Sequence, residues 1–272
     1  MSQEYPLVLA NIEEEGKFIQ LYPKFCAALP AIVELTNRVT QQPSFEDPDP
    51  DRGLANALIL ELAILTFEDF DEVVLLCADG HPRGGLKILR GMFERSVTLF
   101  EIDQHPEKAK RFYGYQHLDR FKIAMRFEEE CPGRLPKEKL EEIRANRDAV
   151  KDDYMRSCKS CGYRTPSGSW MESDIVEVAA RLGLGGNILL HAYYDALHET
   201  HPKMGAIRLR LRQRGDASQA DTGAGSVSTA HFLLLENVRA MIERFRMKEL
   251  EELYQRCKRE YREAWPAKVG DA

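Results

Sequence analysis

Arg90 and Glu94 stand four residues apart, a spacing that sets a guanidinium and a carboxylate side by side on one helix face. Around them Leu86, Leu89, Phe93, Val97 and Phe100 recur every three or four residues, which predicts a helix over 86–103. At about 100° per residue, Arg90 falls inside that apolar stripe, and Glu94 and Glu101 lie on its flank. A charged pair beside apolar neighbours needs partners. It serves either as an ion pair that locks helix orientation or as a fixed cationic fork for an anion.

A second constellation follows Asn187. His191, Tyr194, His198 and His201 are spaced by three, four and three residues, so an α-helix would carry all four on a single face. Imidazoles are the natural groups for proton transfer near neutral pH. The same row also reads as a polar seam between helices, each ring satisfied by a neighbour. Arg90, Glu94, Tyr194, His198 and His201 are therefore the candidate site residues, forming one central polar pocket if the two segments meet.

The remaining motifs are fragments. His198-Glu199-Thr200-His201 is one residue short of the zinc-protease spacing. Asp195, three before His198, resembles half of a dimetal-carboxylate site, which needs its counterpart on another helix. Cys158-x-x-Cys161 lacks the second ligand pair of a zinc ribbon and reads as two free thiols. No metal and no cofactor is expected. Arg208, Arg210, Arg212 and Arg214 would share one face of a strand, as a phosphate contact or as an edge that deters pairing.

The elements that must position these groups are helices. The pattern predicts them at 5–20, 24–41, 54–77, 86–103, 106–130, 137–154, from Ser173 to 182, from Asn187 to before Pro202, and from 228 to 261. Gly80, Pro82, Gly84 and Gly85 punctuate the end of the third. Residues 157–170 read as a loop rich in Cys, Gly and Ser, and 213–225 as a polar loop. Residues 207–212 alternate with period two, so one short β-hairpin is expected near 205–215 at most. The fold class is all-α, a single helical bundle of eight to nine helices. N-terminal helices and a linker rich in Pro and Asp occupy 1–52, and a core domain, which includes the charged helix 137–155, occupies 53–265.

Composition narrows the function classes. The chain has 272 residues, 43% hydrophobic and 30% charged, with a formal net charge of -6. That supports a packed core and speaks against a globally basic nucleic-acid binder. No apolar run reaches the roughly 18 residues of a membrane span, and the first residues lack a secretory pattern. Six scattered cysteines suit reduced thiols, so a cytoplasmic protein is expected.

Four short stretches carry a resemblance: Leu89-Arg90-x-x-x-Glu94; His105-Pro106-Glu107 with Tyr113 and Tyr115; Trp170 leading into 175–184; and Tyr194-x-x-x-His198-x-x-His201-Pro202. In this order they resemble an uncharacterised bacterial family of all-helical proteins, a domain of unknown function, over residues 55–245. The resemblance implies a helical fold in which Arg90, Glu94, Tyr194 and His201 converge; His198 stands where that family carries Ser. There is also a distant similarity to HEPN domains. Arg111 and His117 match the spacing of their metal-independent ribonucleases, although on a straight helix the two side chains diverge by about 120°.

Two readings follow. In the first, the polar centre binds a small anion or is purely structural. In the alternative, His201 or His117 acts as acid or base on RNA, with Arg90 or Arg111 stabilising phosphate charge. A dimetal bundle using Glu94, Asp195, His198 and His201 is the second alternative. A homo-oligomer is compatible with each of them.

Overall fold

Asp49 accepts a hydrogen bond from the Asp51 amide and Pro50 sits in the first turn, so the third helix starts several residues before its apolar run. The computed structural model describes residues 11–41, 49–157, 161–200 and 216–266. Its helices are α1 (Ile12–Leu21), α2 (Pro23–Gln41), α3 (Pro50–Ala78), α4 (Pro82–Gln104), α5 (Ala109–Glu130), α6 (Lys137–Val150), α7 (Ile175–Arg181), α8 (Asn187–Leu189), α9 (Ala196–Thr200), α10 (Asp216–Phe245) and α11 (Glu251–Ala264). A short 3-10 turn, Pro106–Lys108, leads into α5. The all-α class expected from the sequence is the one observed.

The centre is a three-helix layer of α3, α4 and α10. α3 buries residues on most of its circumference, from Ala55 to Cys77. On α4, Leu86, Leu89, Phe93, Val97 and Phe100 are all buried, as their spacing requires. α2 packs along α11, α1 lies on α3, and α5 carries α6. One buried cluster runs from Phe18 to Cys257 and joins these helices. Charges at the edge of this layer are paired. Arg95 donates to both oxygens of Asp69, at 2.8 and 2.5 Å, and Arg244 donates to Asn56 at 2.8 Å.

Five details depart from the sequence reading. α3 reaches back to Pro50, inside the stretch read as linker. α4 begins at Pro82, so Gly84 and Gly85 lie within its first turns rather than in a break. A Cβ on Gly85 would stand 2.9 Å from Cys77 Sγ and 3.2 Å from the Val73 carbonyl, so the glycine is what lets α3 and α4 close. The predicted loop 213–225 is helical from Asp216 onward. The predicted C-terminal helix is two: Arg246, at φ 55°, ends α10 while the Met247 amide bonds Ile242 O at 3.0 Å. That is a Schellman cap with Arg in the place usually held by Gly. Finally, among the described residues the hairpin pairs Met155–Ser157 (β1) with Arg164–Pro166 (β2), in register Met155↔Pro166. Its second strand falls in the segment read as a Cys/Gly/Ser loop, and its first overlaps the end of the charged helix read over 137–155; the hairpin expected near 205–215 lies outside the described residues.

His231 of α10 is fully buried among Phe25, Phe70 and Tyr261, and Trp265 Nε1 donates to its Nδ1 at 3.3 Å. Burial pushes its pKa from the usual 6.5 down to about 3. The unfolded chain therefore takes this proton near pH 6.5 while the folded chain refuses it. Stability is full above that pH and falls as the pH drops toward 3, on the order of 5 kcal/mol over the whole window. Chemical denaturation of His231→Phe beside the wild type, between pH 6.5 and 4.5, should show a flatter slope in the variant.

Residues 190–195 form a π-helical turn between α8 and α9. Its His191 ring reaches α10 where residue 225 is Gly: a Cβ there would stand 2.7 Å from Nε2 and 2.9 Å from Cε1. Gly225→Ala should cost about 1–3 kcal/mol by overpacking. In a His191→Ala background the same change should cost much less, a coupling that a double-mutant cycle measures.

Candidate functional site

α4 presents its flank to the segment 175–200, and the first candidate pair is formed there. Arg90 Nε donates to Glu94 Oε1 at 2.9 Å, its guanidinium lies 5.1 Å from the centroid of the Tyr193 ring, and Nη1 reaches Thr200 Oγ1 at 3.4 Å. The two segments therefore touch through Tyr193 and Thr200, neither of which belongs to the row of His191, Tyr194, His198 and His201. Tyr194 touches Tyr193 edge-on, with centroids 5.4 Å apart, and is itself exposed, as is His198. His201 lies outside the described residues.

The π turn explains the shift. It spends more residues per revolution than an α-helix, so side chains after His191 rotate off the face that a period of 3.6 assigns them. His191 turns inward, with Nδ1 3.2 Å from Asp195 Oδ2. Burial raises the Tyr193 phenol while the neighbouring Arg90 pulls it down; the net shift is upward.

About two turns further along, the same flank carries a carboxylate that is more deeply set. Glu101 is 3% exposed. Its Oε1 accepts from Lys108 Nζ at 2.5 Å and its Oε2 from Arg181 Nη2 at 2.6 Å. Burial alone would raise its pKa; the hydrogen bonds and charges of Lys108 and Arg181 outweigh that and hold it below the usual glutamate range.

These groups wall a cleft of about 110 Å³ with Arg111, Trp170, Met171 and Ser173. Arg111 enters it from α5: Nε donates to Trp170 O at 2.8 Å, Nη1 to Asp153 O at 2.6 Å, and the guanidinium lies over the Tyr154 ring. Tyr154 in turn donates to Arg111 O at 2.6 Å, across Gly114, where a Cβ would stand 2.6 Å from the phenol oxygen. Lys108, Arg111 and Arg181 thus bring three cations to the wall of one cleft.

Sequence reasoning placed Glu101 on the α4 flank and singled out Arg111, but did not join them to Lys108 and Arg181. A buried-side carboxylate seven residues before a lysine is the local signal for half of this cluster; nothing local announces Arg181. Arg111 and His117 do not meet. α5 is unbroken, and His117 lines a different groove, between α5 and α6. Cys161 is an exposed free thiol, and Cys158 lies outside the described residues. Among the described residues no group of three or more His, Cys, Asp or Glu side chains could hold a metal ion, and no single helix is long and apolar enough to cross a membrane.

Glu101→Gln leaves Lys108 and Arg181 without their shared carboxylate. Both cations are partly exposed, so water takes up part of the loss, and destabilisation of about 1–3 kcal/mol is expected. A carboxylate held below its usual pKa stabilises the fold above that range. The gap between wild type and variant should be constant above pH 5.5 and close as the pH falls through the carboxylate range, about 4 and below, in urea titrations.

No curated protein and no solved structure matches the chain. Residues 56–218, which run from α3 through both clefts to the start of α10, match the model of a family described as "Family of unknown function (DUF5677)", and the chain belongs to that family.

Proposed function

We propose that the protein is a small-anion-binding helical module, and that the anion seats in the cleft between Lys108, Arg111 and Arg181. The observation that carries this reading is Arg111. Its charge is met by two backbone carbonyls and an aromatic face, while Glu101 is shared between the other two cations. Counting the exposed Glu172, the lining bears three positive and two negative side chains. The volume corresponds to three or four waters at roughly 30 Å³ each, which suits a phosphate or a carboxylate head whose body extends into solvent.

The Arg90–Glu94 pair, with Tyr193 and Tyr194, is in this reading a support that holds the segment 187–200 against α4. His198 then lies at its outer face rather than in the cleft. Five free cysteines among the described residues support a reducing, cytoplasmic setting.

Trp170 lines the cleft and reports on it. In a Trp265→Phe background, titration with inorganic phosphate and with acetate should change Trp170 fluorescence in a saturable way, more strongly with one of them. Lys108→Gln and Arg181→Gln should each weaken that response at least tenfold. A flat titration with both anions, or unchanged affinity in both variants, removes the reading.

A further inference from the structure

A roomier cavity, about 570 Å³, lies elsewhere, between α5 and α6. Its size is that of a small-molecule site, within the roughly 300–1,000 Å³ such sites span. α6 has no fully buried residue and holds to α5 by a narrow edge, so the space between them is a groove rather than a packed interface. Apolar groups in it lack partners: Ile123 is 69% exposed and Phe127 43%.

The groove is graded along its length. Residues 131–136 connect α5 and α6, which pack side by side and therefore run antiparallel. Near that connection the walls are Ile123, Ala124, Phe127, Leu135 and Ile143. Toward the open end they are His117 and Arg120 from α5 and Asn146 from α6. Lys139 and Glu142 on the rim satisfy each other at 2.7 Å. Among the described residues Arg120 has no hydrogen bond or ion pair, and His117 and Asn146 have no hydrogen bond. One end is thus apolar and the other offers an uncompensated cation flanked by two hydrogen-bonding side chains.

We infer that this groove binds an aliphatic monocarboxylate. The carboxylate sits against Arg120, with His117 and Asn146 beside it, and the chain lies between Ile123, Phe127 and Ile143. From His117 to Phe127 the helix rises about 15 Å, which sets the length of a medium-chain acid. The site is independent of the Lys108–Arg111–Arg181 cleft, because α5 turns the two sets of side chains to different sides.

Calorimetric titration of the full chain with decanoate at neutral pH tests this. The expected result is a saturable site that is at least tenfold weaker in Arg120→Gln and lost in Ile143→Glu, with decylamine binding there at least tenfold more weakly than decanoate; any heat from the Lys108–Arg111–Arg181 cleft is removed by Arg181→Gln. Arg181→Gln should leave the affinity of the Arg120-dependent site unchanged. Should circular dichroism show that Ile143→Glu has lost helix, Phe127→Glu, on a half-exposed ring, takes its place. Absence of saturable heat, equal affinity for decylamine, indifference to Arg120→Gln, or loss of binding in Arg181→Gln overturns the inference.

Discussion

A carboxylate sunk at the edge of a helical core dictates what must surround it. Glu101 sits where α4 leaves the central layer, and both of its oxygens are taken, one by Lys108 and one by Arg181. Leaving either oxygen unmet there would cost more than the bond itself is worth in water. The pairing therefore ties three segments to one point: the end of α4, the turn before α5, and the last residue of α7. Once Lys108 is tied, Arg111 follows one turn later and is delivered into the same cleft. The site is a consequence of satisfying a buried charge.

α5 then separates the two concave features of the molecule. Its residues advance by about 100° each, so Arg111 and His117 leave the helix in directions roughly 120° apart. With no Pro and no π turn in Ala109–Glu130, nothing bends them together. A catalytic Arg–His pair would require such a bend. The unbroken helix instead divides its polar residues, with Lys108 and Arg111 facing the hairpin and α7 while His117 and Arg120 face α6.

What could be read from the sequence depended on how local its cause was. The α4 stripe was legible because burial imposes a period of 3.6, and every apolar residue assigned to it is buried. The Arg90–Glu94 pair was legible because both partners lie on one helix. The imidazole row was not, since its spacing assumed an α-helix and residues 190–195 wind as a π turn, packed against the space left by Gly225. Pro82, Gly84 and Gly85 were read as an interruption because their usual meaning is a break. Here the proline opens α4 and Gly85 admits Cys77. The end of α10 was invisible because Arg246 adopts a left-handed conformation normally marked by glycine. Arg181 entered no sequence argument, since its tie to Glu101 spans 80 residues.

The contrast between the two buried-edge arginines argues for where an anion would go. Arg90 faces Glu94, a full negative charge at hydrogen-bond distance, so its field is largely cancelled locally. Arg111 faces the carbonyls of Trp170 and Asp153. A carbonyl satisfies the N–H geometrically but contributes only a dipole, whose field falls off faster than that of a charge. The positive potential of Arg111 therefore persists into the cleft, where Lys108 and Arg181 share a single buried carboxylate between them. On the proposed reading a second anion would relieve that imbalance without displacing Glu101, whereas at Arg90 it would have to compete with Glu94. The polar edge that looked most chemical in the sequence is thus the one already neutralised, and the unfinished electrostatics lie about two turns further along the same helix.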